Sequence, residues 1–151
     1  HASIEAKDKV GRTPLHIASR NGHIEVVKYL IEQCNADVET KDNYRSTPLH
    51  IASENGHIKV IKYLIEQSHA NIEAKNNGGW TPLHIASIKG HIEYVKYLIE
   101  QCHANIEAKD KYGWTPLQIS LSINGTRKYL TSLIQTQPKP EKRQYEIILC
   151  P

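Results

Sequence analysis

Thr13-Pro14-Leu15-His16-Ile17-Ala18 decides the fold. The same six residues return at 47–52 and 81–86 and, slightly altered, at 115–120 as Thr115-Pro116-Leu117-Gln118-Ile119-Ser120. The step is 34 residues each time. A fixed period of that size means stacked supersecondary units, none of which can bury its apolar face alone.

Each copy opens a helix for local reasons. Thr13 offers an oxygen to a free backbone N–H of the first turn, and Pro14 has its φ preset and lacks the N–H that would go unpaired there. Leu15 and Ala18 supply an apolar stripe, and Asn21-Gly22 ends the helix with a residue tolerant of positive φ. A second helix follows over residues 23–33, with apolar residues at 24, 27, 30 and 31 on one face and Lys28 and Glu32 pointing outward. From Cys34 to Ser46 the helical period is lost and turn residues gather, which predicts an extended loop with a tight turn. The unit is helix, turn, helix, projecting hairpin.

The hexapeptide, the Gly-His pair between helices and a projecting turn of the form Asp-x-x-Gly resemble the ankyrin repeat. The resemblance runs from residue 1 to about residue 136. It implies an all-α ankyrin-repeat solenoid of stacked helix-turn-helix units with projecting β-hairpin loops. The array is expected over 1–137, in repeats of about 9–42, 43–76, 77–110 and 111–137, with 1–8 the end of an upstream repeat's loop. Residues 138–151 read as a C-terminal linker and tail. Ankyrin repeats run about 33 residues. The extra residue here follows the second helix, where Asn35, His69 and His103 are expected at or beside the left-handed conformation.

Composition excludes several classes. The chain has 151 residues, suited to one domain, and no apolar run approaches about 18 residues, so no transmembrane helix is expected. Cys34 and Cys102 share a repeat position at which the middle copy has Ser68, so a disulfide is not expected and a reducing, cytosolic or nuclear compartment is. The nine histidines fall into three rows: His16, His50 and His84; His23, His57 and His91; His1, His69 and His103. Members of a row lie a full repeat apart and cannot converge on one ion, so no metal is expected. The first row is expected to bridge repeats through ring hydrogen bonds and the second to cap helices. No singular constellation of nucleophile, base and orienter stands out, and no Gly-rich phosphate loop appears. No catalytic residue, cofactor or small-molecule substrate is therefore expected. Asn124-Gly125-Thr126 matches a glycosylation acceptor but reads as the fourth unit's inter-helix turn.

What differs between copies points to function. Before each Thr-Pro stand Arg12, Ser46, Trp80 and Trp114, and the loop tips read Lys9-Val10, Asn43-Tyr44, Asn77-Gly78 and Lys111-Tyr112. The first helices end in Arg20-Asn21, Glu54-Asn55, Ile88-Lys89 and Ser122-Ile123-Asn124. In ankyrin-like proteins these positions line the concave face on which partners bind. That placement is what the resemblance implies. Lys9, Val10, Arg12, Arg20, Tyr44, Ser46, Glu54, Trp80, Ile88, Lys89, Lys111, Tyr112 and Trp114 are the expected partner-binding residues. Trp, Tyr and Arg are the types enriched at interface hot spots. Trp before Thr-Pro also has a packing reading, in which it covers the hairpin base. Tyr29, Tyr63 and Tyr97 recur unchanged and read as scaffold, while Arg45, where sister copies have Gly11, Gly79 and Gly113, marks a turn that must manage without its glycine.

The expected function is a non-catalytic protein–protein interaction module. Nucleic-acid or acidic-ligand binding through the same face and a structural spacer are the alternatives. A net charge of +3 with 16 acidic residues interspersed is weak for tracking phosphates. The fourth unit, with Arg127 at the position of Ile92, reads as a polar-faced terminal cap with its second helix over 127–136.

Overall fold

Threonine followed by proline starts a helix wherever the hexapeptide occurs in the computed structural model, which describes residues 3–120 and 124–136. Helices α1 (Pro14–Asn21), α3 (Pro48–Asn55), α5 (Pro82–Lys89) and α7 (Pro116–Ile119) begin this way. Their antiparallel partners are α2 (Ile24–Glu32), α4 (Ile58–Glu66), α6 (Ile92–Lys96, continued by a π-helical turn over Tyr97–Gln101) and α8 (Asn124–Thr136). The first helices stack side by side, α1 on α3 on α5 on α7, with the second helices behind them.

The N-terminal box is reciprocal. Thr47 Oγ1 accepts from the His50 amide at 3.4 Å, and the Thr47 amide donates to His50 Nδ1 at 3.2 Å. A glutamate or glutamine ordinarily fills that second role. In α7 Gln118 fills it, its Oε1 accepting from the Thr115 amide at 2.9 Å. Gly22, Gly56 and Gly90 end the first helices at φ 71°, 69° and 72°, where a side chain would be strained.

Between units lies a continuous core of repeated rows: Leu15, Leu49 and Leu83; Ala18, Ala52 and Ala86; Val27, Ile61 and Val95; Leu30, Leu64 and Leu98. Each fully buried Leu or Ile is worth about 1.5–3 kcal/mol. Apolar burial holds the units together but does not fix their register; polar rows do that. His16 Nε2 donates to the Ser46 carbonyl at 2.9 Å, His50 to Trp80 at 2.9 Å and His84 to Trp114 at 3.0 Å. Because each Nδ1 already accepts from its own threonine amide, the proton must sit on Nε2. The bridging expected of this row is present.

The second histidine row behaves differently from the expectation. His23, His57 and His91 stand at the starts of α2, α4 and α6, yet their side chains do not cap those helices. His57 Nε2 reaches back to the Arg20 carbonyl at 2.8 Å and His91 to the Glu54 carbonyl at 3.4 Å. These are last-turn carbonyls of the preceding first helix, which lack an intrahelical partner. Along the second helices Tyr63, Tyr97 and Tyr129 donate their hydroxyls to Glu32, Glu66 and Glu100 at 2.7–2.8 Å.

The projecting loops are tight turns rather than β-hairpins, and no described residue is in a strand. In each, the backbone pairs across the base once, as in Asp42 N–H to the Ser46 carbonyl at 3.0 Å, before the chain enters the next helix. Their tips pair with each other instead: the amides of Asn43, Asn77 and Lys111 donate to the carbonyls of Val10, Tyr44 and Gly78 at 2.9–3.0 Å. Arg45 takes φ 59° at the site where Gly11, Gly79 and Gly113 take 75–81°, so the finger keeps its sisters' shape under strain. Asn35, His69 and His103 take φ 54°, 55° and 56°, as expected. Asn124–Thr126 form the first turn of α8 and not an inter-helix turn, and Thr126 is fully buried against the array. The second helix of the fourth unit thus starts before residue 127. His1, Ser122, Ile123 and the linker and tail at 138–151 lie outside the described residues.

Burial pulls His16, His50 and His84 below the ordinary imidazole value of 6.5, against the upward pull of their carbonyl partners. The unfolded chain therefore binds more protons than the folded one as pH falls toward and below 6.5. Their contribution is fully present above that value and lost on acidification. Urea unfolding just below pH 6.5 should show stability rising with pH, with an upper limit of about 4 kcal/mol per pH unit for three excluded protons.

Candidate functional site

The residues that vary between copies sit on the fingers and first helices, and the structure sorts them into three groups. The first is clamped. Ser46, Trp80 and Trp114 give their carbonyls to the histidine row, so their backbones belong to the inter-repeat joint. Ser46 is 8% exposed, its amide donating to Asp42 Oδ1 at 2.8 Å. Its short hydroxymethyl group is buried at the finger base, where it borders the groove described next. Arg12 is half-buried with Nε 3.9 Å from Asp42 Oδ2 in the next finger. Trp80 is half-buried too, its indole N–H donating to Asp110 Oδ2 of the finger after it at 3.2 Å.

The second group lines a groove. Ser46, Glu54, Trp80, Ile88 and Lys89 enclose about 150 Å³ between the second and third repeats, together with His50, Ile51, Asn76 and Ile85. Trp80 and the isoleucines form its apolar wall, and Glu54 and Lys89 face each other at 3.7 Å. Lys89 is thus already partnered. Exposed Arg20 lies outside this groove, at the end of α1, and Arg12 borders a separate hollow beside Pro14 and Ile17.

The third group is the finger edge. Tyr44, Tyr112 and Trp114 are 59%, 72% and 50% exposed, Lys9 and Lys111 are exposed, and Val10 is half-buried. Lys111 Nζ lies 4.9 Å from the centre of the Tyr112 ring. Asp8, Asp42 and Asp110 shape the turns of this edge, Asp42 and Asp110 from buried positions and Asp8 from an exposed one. Each Oδ1 accepts two amides of its own turn, from Val10 and Arg12, Tyr44 and Ser46, and Tyr112 and Trp114, at 2.8–2.9 Å. Although burial raises it, the Trp114 and Tyr112 amides and the Trp80 indole hold the Asp110 carboxyl below the usual carboxylate range.

Sequence reading missed the groove walls His50, Ile51 and Ile85, the exposed cation Arg45 and the receiving role of Asp42 and Asp110. A signal was present: the residue before Thr-Pro pairs with the acid 30 positions on, Arg12 with Asp42 and Trp80 with Asp110. No group of three His, Cys, Asp or Glu able to hold a metal ion occurs among the described residues, and no described helix is long and apolar enough to cross a membrane.

A family model described as ankyrin repeats (3 copies) matches residues 1–76 and 68–144. The chain is also similar to the mitochondrial liver isoform of glutaminase, 56% identical to the Mus musculus protein and 53% to the Rattus norvegicus protein, over 34 residues. That stretch is 22% of this chain and 6% of each glutaminase. It has the length of one repeat and establishes nothing about enzymatic function.

The two tryptophans should separate in a stability measurement. Trp80→Phe removes a half-buried hydrogen bond to a carboxylate and should cost about 1.5 kcal/mol. Trp114→Phe, whose indole makes no such bond among the described residues, should stay within about 0.5 kcal/mol in the same urea titration.

Proposed function

For a chain that belongs to the ankyrin-repeat family, whose repeats are generally protein–protein interaction modules, we propose a non-catalytic binding module that receives a protein partner on the concave face of fingers and first helices. The observation that carries this reading is the exposure of Tyr44, Tyr112 and Trp114 along one edge of the array. None of the three side chains is needed to stack the repeats: the tip ladder uses Tyr44 only through its carbonyl, and Trp114 serves the histidine row through its carbonyl alone. Rigid aromatics left in solvent supply contact area at low entropic cost. The groove between Trp80 and Lys89 gives a partner side chain a place to anchor beside them. Cys34 and Cys102, both free thiols, suit a cytosolic or nuclear setting.

Proximity labelling with the native chain and with a Tyr44→Ala, Tyr112→Ala, Trp114→Ala variant tests this, after circular dichroism shows that both fold. The expected result is a set of proteins that disappears with the variant. Identical sets from both would contradict it.

A further inference from the structure

The edge that carries the exposed aromatics has an uneven distribution of charge. Two of its three turn acids are buried, Asp42 and Asp110 at 6% and 8% exposed, while Asp8 is exposed; all three spend an oxygen on two backbone amides. The loop glutamates Glu5, Glu39 and Glu73 are likewise engaged, each accepting the amide of the next loop, from Asp37, Asn71 and Asn105, at 2.7–3.1 Å. The cations Lys9, Arg45 and Lys111 are exposed at the tips, and none of them is ion-paired among the described residues.

Arg45 stands where the turn itself calls for glycine. Its three sister fingers use glycine at this left-handed position, and the turn bond from Arg45 N–H to the Asp42 carbonyl, 3.0 Å, is the same bond that Gly11 and Gly113 make at 3.0 Å and Gly79 at 2.9 Å. The scaffold gains nothing from an arginine there and bears its strain. In the row of tips Gly78 stands between Tyr44 and Tyr112 and adds no side chain; a Cβ there would lie 3.3 Å from Asn76 Oδ1 and 3.6 Å from Trp80 Cδ1.

Resting on the concave-face reading, we infer that the finger edge binds an acidic protein segment, its carboxylates meeting Lys9, Arg45 and Lys111 and its apolar side chains lying against the exposed rings of Tyr44 and Tyr112. Cations and aromatics in one row suit carboxylates interleaved with apolar residues. A phosphate backbone would want a denser run of cations, and Gly78 with Asn77 interrupts this one.

Fluorescence anisotropy tests the inference with a labelled dodecapeptide of repeating Asp-Glu-Leu, its Asn-Gln-Leu and Lys-Lys-Leu counterparts, and a thymidylate dodecamer. Only the acidic peptide should bind well. Lys9→Glu, Arg45→Glu, Lys111→Glu combined should weaken it at least about tenfold at low salt. Arg45→Gly alone should weaken it while unfolding at higher urea, which separates the contact from the fold. Equal binding of acidic and neutral peptides, or an unchanged charge-reversed variant, would overturn the inference; an oligonucleotide that displaces the acidic peptide would overturn it in favour of nucleic acid. Proximity labelling with the charge-reversed variant, beside the aromatic one, separates the two readings. If aromatic removal loses the partners and charge reversal keeps them, only the acidic segment is wrong; if neither loses them, both readings fall.

Discussion

A neutral imidazole with both nitrogens committed is the constraint on which the rest depends. Nδ1 receives the amide that starts its own helix, and Nε2 donates across the repeat boundary to the carbonyl that precedes the next Thr-Pro. One side chain therefore fixes where a helix begins and where the next unit sits. Leucine rows alone would hold the layers together, since apolar burial is non-directional, but would let them slide. The second histidine row and the tyrosine–glutamate row repeat the same device at the far end of the first helix and along the second.

Because stacking is carried by the repeated residues, the residues that vary have some freedom to serve other ends, though less than their variability suggests. Arg12 and Trp80 differ chemically yet do one job, reaching the acid of the following finger. Tyr44, Tyr112 and Trp114 have no such job for their side chains, and they are the exposed ones. Variation among copies thus mixes local repair of the joint with display to solvent. Only the spatial neighbour distinguishes the two.

This explains how much was legible beforehand. The helix starts, the glycine stops, the bridging histidines and the left-handed Asn35, His69 and His103 follow from residue chemistry within one unit, and they were readable. The burial of Ser46 and the pairing of Trp80 with Asp110 were not, because each depends on what the neighbouring unit places against a position whose side chain differs from copy to copy. Loops expected as hairpins became tight turns for a similar reason. Their backbones pair once across their own base and then with the adjacent tip, so no ladder extends along the arms. The groove was half-legible: five of its lining residues were expected at the site, while His50, Ile51 and Ile85, which also line it, lie in the part of the motif that does not vary.

The most direct test of the account is a long-range nitrogen–proton correlation spectrum of the histidine rings, recorded while pH is lowered. His16, His50 and His84 should appear as neutral rings protonated at Nε2 and stay predominantly so at pH 6.5, the ordinary midpoint for an imidazole. Rings protonated at Nδ1, or half-charged at or above that pH, would contradict it, because the bond to the threonine amide and the bridge to the next repeat could not then exist together.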